Sequence, residues 1–143
     1  MTFSLHPNLE GKIFIAELPL CRLLLENERN YLWLLLVPRK PNLARIIDLT
    51  TVDQLQLLKE LDIAQRILWN EFKPHQLNVA AIGNKTPQLH LHLIARHTND
   101  PAWPNTVWDH PVRAPYEENE KKTLIAQMQS YFSAYLCKSD NTV

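Results

Sequence analysis

"GNKTPQLHLHLIARH" (83–97) is the stretch on which the fold turns. It sets His90 and His92 two residues apart inside an apolar run, just after a Gly-Asn pair. Successive side chains on a strand point to opposite faces, so Gln88, His90 and His92 share one face. Leu89, Leu91 and Leu93 take the other and are available to a core. Along the polar row, neighbouring Cα atoms stand roughly 6.7 Å apart, twice the rise of a strand residue.

Working outward, "QLNVAAI" (76–82) also reads as a strand, and only "GNKTP" separates it from "QLHLHLIAR" (88–96), which predicts a hairpin. "KIFIAEL" (12–18), "LCRLLLE" (20–26) and "YLWLLLVPR" (31–39) give three more strands, punctuated by Pro19, the polar turn "NERN" and Pro38. "LARIIDL" (43–49) is a further candidate. The run "YLWLLLV" (31–37) is far too short to span a bilayer and reads as a strand buried on both faces.

At Thr51 the period changes. Leu57, Leu61, Ala64, Leu68 and Phe72 recur at three or four, one stripe of a helix over about 51–72. Thr51 and Gln54 fit a capping box at its start, and Pro74 bars continuation at its end. "HTNDPAWPNTVWDHPVRAP" (97–115) has no period, but Trp103 and Trp108 argue for a packed loop, since large rings seek burial. A last helix spans about 116–136, with Glu117, Glu118 and Glu120 at its positive end and Leu124, Met128, Tyr131 and Tyr135 as its stripe. The sum is an α+β domain over residues 1–143: a mainly antiparallel sheet with two helices.

Composition bounds the partners. Of 143 residues 45% are apolar and 21% charged, and Lys+Arg equals Asp+Glu at 15 each. Zero net charge gives no general electrostatic reason to expect a nucleic acid polymer or an anionic membrane. Cys21 and Cys137 lie far apart and read as reduced thiols of a cytoplasmic protein. The start, "MTFSLHPNLE", has neither a basic n-region nor an apolar h-region.

Three chemistries suit the histidine pair. The row can be ordinary polar residues on a solvated sheet face. It can be half a zinc site, which needs a third or fourth ligand that His75, His97 and His110 do not supply at any diagnostic spacing. Or a neutral imidazole can act as a nucleophile, with the polar row following a chain of phosphates.

"QLHLHLI" (88–94) resembles the signature of the histidine triad (HIT) superfamily, H-φ-H-φ-H-φ-φ with φ apolar, except that Gln88 replaces the first histidine. Gly83-Asn84 sits where that family has Gly-Gln, Asn78 lies near its nucleotide-binding Asn, and "LLLVPRK" and "IAR" are similar to its other conserved segments. The order of strand, helix and motif matches over about 12–96. "DPAWPNTVW" resembles a bacterial branch that carries Gln in the first triad position.

The resemblance implies a HIT-like fold with a five-stranded antiparallel sheet, and a homodimer whose sheets meet edge to edge or through a helix. It implies a nucleotide hydrolase or transferase acting at a nucleoside α-phosphate, on a dinucleoside polyphosphate such as diadenosine tetraphosphate or on a nucleoside phosphoramidate. The substrate would be a purine nucleotide, with no cofactor and no metal. His90 would be the nucleophile, its other nitrogen donating to a backbone carbonyl. His92 would touch phosphate oxygens and Gln88 would donate its amide N–H to them. Gly83, Asn84 and Lys85 would add donors or charge near the leaving group, Asn78 would bind the nucleotide, and Asn27 or Glu28 would reach a ribose hydroxyl. Arg96 can pair with phosphate or with a carboxylate. Two other classes stay open on the residues alone: a nucleotide-binding module of low turnover, because Gln88 departs from the triad, and a metal-dependent hydrolase using His90 and His92.

Overall fold

The computed structural model of the chain describes residues 2–110 and 113–140. Residues 111 and 112 of the 97–115 loop lie outside the described residues, as do residue 1 and residues 141–143. Five strands form one sheet: β1 Ile13–Glu17, β2 Cys21–Leu25, β3 Leu32–Pro38, β4 Gln76–Ala80 and β5 Leu91–Arg96. Their order is β1-β2-β3-β5-β4, and every neighbouring pair is antiparallel. The helices are α1 Pro7–Glu10, α2 Thr51–Phe72 and α3 Glu118–Asp140. The two long ones were expected; the four-residue α1 was not, being too short to show a period.

Alternation along the strands decides the layers. Leu34 and Leu36 of β3, with Leu91, Leu93 and Ala95 of β5, face the long helices and join Leu57, Ala64, Ile67, Leu68, Met128 and Phe132 in the main core. Each fully buried leucine there is worth roughly 2 kcal/mol by transfer. The intervening residues Trp33, Leu35 and Val37, with Leu24 and Ile94, sit under a second apolar cluster that includes Leu9, Tyr31, Ala102 and Val107. β3 is therefore buried on both faces, as its unbroken apolar run predicts.

The N-cap of α2 is Thr50, not Thr51: its hydroxyl accepts from Asp53 N at 3.2 Å. Gln54, expected to close a capping box, instead donates to the Leu49 carbonyl at 3.1 Å. The helix stops at Lys73, which takes a left-handed φ of 50° ahead of Pro74. Buried Glu60 ties α2 to the sheet by accepting from Leu20 N and Cys21 N, both at 2.8 Å.

Three boundaries differ from expectation. Residues 43–49 are not a strand: the Asp48 carboxylate captures the amides of Ala44 and Arg45 at 3.0 and 2.9 Å and folds Ile46–Asp48 into a single 3-10 turn. α3 begins at Glu118, not Tyr116: helical bonding starts with Lys121 N donating to Glu117 O at 2.9 Å, and the Tyr116 amide donates to Asn27 Oδ1 at 2.9 Å. The β4–β5 connection is longer than "GNKTP". Pro87 has no N–H to pair, Leu89 N donates outside the sheet to Leu43 O at 2.8 Å, and the ladder resumes only at Leu91.

Candidate active site

Because β5 starts at Leu91, His90 sits just before the strand and His92 lies within it. Their rings meet at 4.9 Å between centroids with planes at 77°. The sheet face that carries them is not solvated, as one reading of the row had it: His90 is 6% exposed and His92 8%. The second apolar cluster supplies the cover, and Trp108 stands edge-on to His92 at 5.1 Å and to Trp33 at 5.5 Å. A row of polar residues signals solvent only if nothing folds over it. Here the loop after β5 does.

The two histidines are held in opposite tautomers. His90 Nδ1 lies 2.6 Å from the Gln88 carbonyl oxygen. A carbonyl only accepts, so Nδ1 carries the proton, and in the neutral ring Nε2 keeps a free lone pair. His92 Nδ1 lies 2.9 Å from Trp33 Nε1. An indole N–H only donates, so His92 Nδ1 is the acceptor and its proton sits on Nε2. His92 is kept neutral: burial first, then electrostatic coupling to His90 and Lys12, pushes its pKa down to about 4. The arrangement supplies one nucleophilic nitrogen and, beside it, one neutral N–H donor. Trp33 is the partner of the histidine pair that sequence reasoning missed. Its only trace was an aromatic inside a run already assigned to a strand.

A cleft of about 480 Å³ opens beside His90, its lining including Gln88, Gly83, Asn84, Arg45, Ile47 and Ile82. That volume suits a ligand of nucleotide size. The backbone approaches closely at Gly83, where an added Cβ would sit 3.3 Å from Thr86 O. Lys85 is exposed at the tip of the same loop and is not among the residues lining the cleft.

Other expected residues are placed as follows. The amide of Gln88 is committed to the N-terminal segment: Oε1 accepts from His6 N and Nε2 donates to Ser4 O, both at 2.8 Å. Asn78 on β4 shares the histidine face, two positions from the Ala80 that pairs with His92, and its Oδ1 accepts from Arg96 Nη1 at 2.8 Å. Arg96 pairs with a carboxylate. It is 1% exposed, holds both Asp100 oxygens at 2.8 and 3.0 Å, and donates to Asn105 O at 2.8 Å. Burial pulls the Asp100 carboxyl up, but the Arg96 guanidinium and the amides of His97 and Trp103 outweigh it and hold the group below its usual range. The guanidinium also lies over the rings of Tyr31 and Trp103, each at 5.6 Å, so Arg96 anchors the loop that carries Trp108.

Asn27 is not brought to the site. It lies in the turn at the end of β3 that pairs with Ala95, whereas His90 lies beyond the opposite end, past Leu36↔Leu91. The four residue steps between those pairs put the ends about 13 Å apart. Glu28 is buried in the same turn, accepting from Asn30 N and Ala114 N. His75, His97 and His110 stand apart from the pair, against Trp103, in the loop after β5 and against Tyr31. Among the described residues, no group of three or more His, Cys, Asp or Glu is arranged to hold a metal ion. No helix among them is long and apolar enough to cross a membrane.

Comparison with known proteins agrees with this geometry. The family model described as HIT domain matches residues 10–99. A histidine triad protein from Bradyrhizobium japonicum is 42% identical, covers 92% of this chain and 98% of its own, and superposes with a TM-score of 0.88. One from Sinorhizobium meliloti is 36% identical over 91% and 97%, with a TM-score of 0.87. One from Marinobacter aquaeolei is 35% identical over 94% and 99%, with a TM-score of 0.90. No curated protein gives a significant match.

Proposed function

Because the chain belongs to the HIT domain family, in general nucleotide hydrolases and transferases, we propose that it cleaves substrates at a nucleoside α-phosphate through a covalent nucleotidyl-His90. The observation that carries the reading is the 2.6 Å bond from His90 Nδ1–H to the Gln88 carbonyl, which leaves the lone pair on Nε2. That pair attacks phosphorus. The bond from phosphorus to the leaving oxygen or nitrogen breaks and the leaving group keeps the electrons; a polyphosphate departs as its anion, and an amine takes its proton from water. Water then attacks phosphorus, the P–N bond breaks back onto Nε2, and a nucleoside monophosphate departs. His92, through its Nε2–H, donates to a phosphate oxygen as charge develops, and Asn84 and the loop amides after Gly83 add donors. Neutral His92 donates without a prior proton transfer, and the surrounding apolar cover keeps bulk water from competing.

The substrates that fit are dinucleoside polyphosphates such as diadenosine tetraphosphate, or nucleoside phosphoramidates, with a purine base. We read residues 1–143 as one cytoplasmic domain working as a homodimer. β4 is one edge of the sheet and carries exposed Val79, and Val52, Leu55 and Leu58 form an exposed apolar group on α2. Asn78 and Lys85 remain in the proposal as nucleotide contacts.

The test is a panel of dinucleoside polyphosphates and phosphoramidates given to the native protein and to His90→Ala. Mass spectrometry under mild alkaline conditions seeks the nucleotidyl-histidine. The expected result is a loss of several orders of magnitude in turnover with nucleotide binding largely kept. Equal turnover by His90→Ala would remove the mechanism. A second reading, a binding module of low turnover, draws on the commitment of the Gln88 amide away from the cleft. It predicts a raised Tm with nucleotide and no monophosphate released.

A further inference from the structure

Gln88 stands where the HIT pattern has a histidine, and its side chain holds a distant part of the chain. His6 N donates to its Oε1 and its Nε2 donates to Ser4 O, both at 2.8 Å, across 82 and 84 residues of sequence. The neighbouring loop repeats the link: Asn8 Nδ2 donates to Thr86 Oγ1 at 3.0 Å. The segment is secured at other points too. Phe3 and Leu5 pack on the apolar cluster around Trp33, the Arg22 guanidinium lies over Phe3 at 5.3 Å, and Leu9 is 3% exposed. Residues 3–9 thus form a strap held by the Thr86 and Gln88 side chains immediately ahead of His90.

The same residue meets His90 from its main chain, through the carbonyl that accepts from Nδ1–H. On the next residue, Leu89 N is held by Leu43 O at 2.8 Å. This backbone lies outside the sheet ladder, so no strand pairing fixes that carbonyl. The side-chain bonds to the strap and the Leu89 bond are what hold it.

We propose that Gln88 is a positioning residue, clamping the strap with its amide and thereby fixing the carbonyl that sets the tautomer of His90. The proposal rests on His90 as the reacting group. A carboxamide meets the need because it accepts and donates from two adjacent atoms. Methionine offers neither function, and glutamate would turn an acceptor toward Ser4 O. Gln88 is on this view not a substitute phosphate ligand, since its amide is spent on the strap.

The experiment uses Gln88→Met, which keeps the volume and removes both bonds, beside Gln88→His, which restores the residue of the family pattern. Three readouts separate the possibilities: hydrogen exchange at the His6 amide, the imidazole 15N shifts of His90, and kcat with KM on whichever nucleotide is turned over. In Gln88→Met the His6 amide is expected to exchange at least about tenfold faster, as for a lost hydrogen bond. The His90 shifts move from a single Nδ1–H form to mixed tautomers, and kcat falls about tenfold with KM changed less than twofold. Gln88→His does not restore turnover. An unchanged His6 exchange rate overturns the clamp. Faster exchange with His90 still in one tautomer reduces Gln88 to a strap anchor and overturns its positioning role. Turnover by Gln88→His at or above the native rate overturns it in favour of direct phosphate contact. Should His90→Ala retain activity, the catalytic reading fails, yet the exchange and 15N results still judge the clamp.

Discussion

Acid should weaken this protein through His92, because burial holds that ring neutral. The buried ring is pushed down to about 4, whereas an unfolded imidazole titrates near 6.5. Between those values the unfolded chain binds the proton and the folded one does not, so stability falls as pH falls. The contribution is fully present above pH 6.5 and is lost progressively toward pH 4. At 1.36 kcal/mol per pH unit the whole window is worth about 3 kcal/mol, of which about 2 kcal/mol is gone between pH 7 and pH 5. The control is His92→Asn, whose Oδ1 can accept from the Trp33 indole in place of Nδ1 but cannot titrate. Urea denaturation of both proteins at pH 7, 6 and 5 gives the double difference, in which the other titrating groups cancel. The native protein is expected to lose about 2 kcal/mol more than the variant, an extra drop of about 1 M in the urea midpoint. Parallel stability curves would refute the claim that this ring is held neutral by its surroundings.

The remaining expectations are these. Trp33→Phe removes the donor to His92 Nδ1 and leaves a buried acceptor unpaired; unfolding should cost about 2 kcal/mol less, and the 15N spectrum should show both His92 tautomers. A single unchanged tautomer would mean that something else holds the ring. Asp100→Asn breaks a buried pair and strands the Arg96 charge, for a loss of about 3 kcal/mol by urea denaturation. The same variant should free the loop carrying Trp108, read as faster amide exchange over 97–110. Lys73→Gly relieves a left-handed φ of 50° at the C-terminal end of α2, and a gain of about 1 kcal/mol should raise Tm by roughly 3–5 °C. A lower Tm would show that the lysine side chain matters more there than its backbone strain.

Local features were readable because local physics made them. The stripe Leu57, Leu61, Ala64, Leu68, with threonine before it and Pro74 after it, gives a helix whose ends fall at Thr51 and Phe72. Alternation around His92 sends Leu91 and Leu93 to the helices and leaves the imidazoles on the other side. Patterning failed where one side chain captured backbone that a strand would otherwise use, as Asp48 does with the amides of Ala44 and Arg45. It also failed where partners lie far apart in sequence. Trp33 and His92 are 59 residues apart and Gln88 and His6 82, and neither bond leaves a period or a spacing to find.

The cover over the histidines is the deepest of these omissions, and it joins stability to chemistry. Polarity at each position says that the row Gln88, His90, His92 belongs in water. Coverage, which polarity does not encode, is set by Arg96 gripping Asp100 and so turning the following loop back over β3 and β5. Burial beneath that loop depresses the His92 pKa, which keeps the ring a neutral donor well below pH 7 and also makes the fold yield in acid. The two effects are one free-energy difference, measured once between protonation states and once between folded and unfolded chains. A substitution that opens the cover and raises the His92 pKa toward 6.5 should therefore flatten the loss of stability in acid, while the ring gives up its neutral form earlier as pH falls below 6.5. One that tightens it must do the reverse.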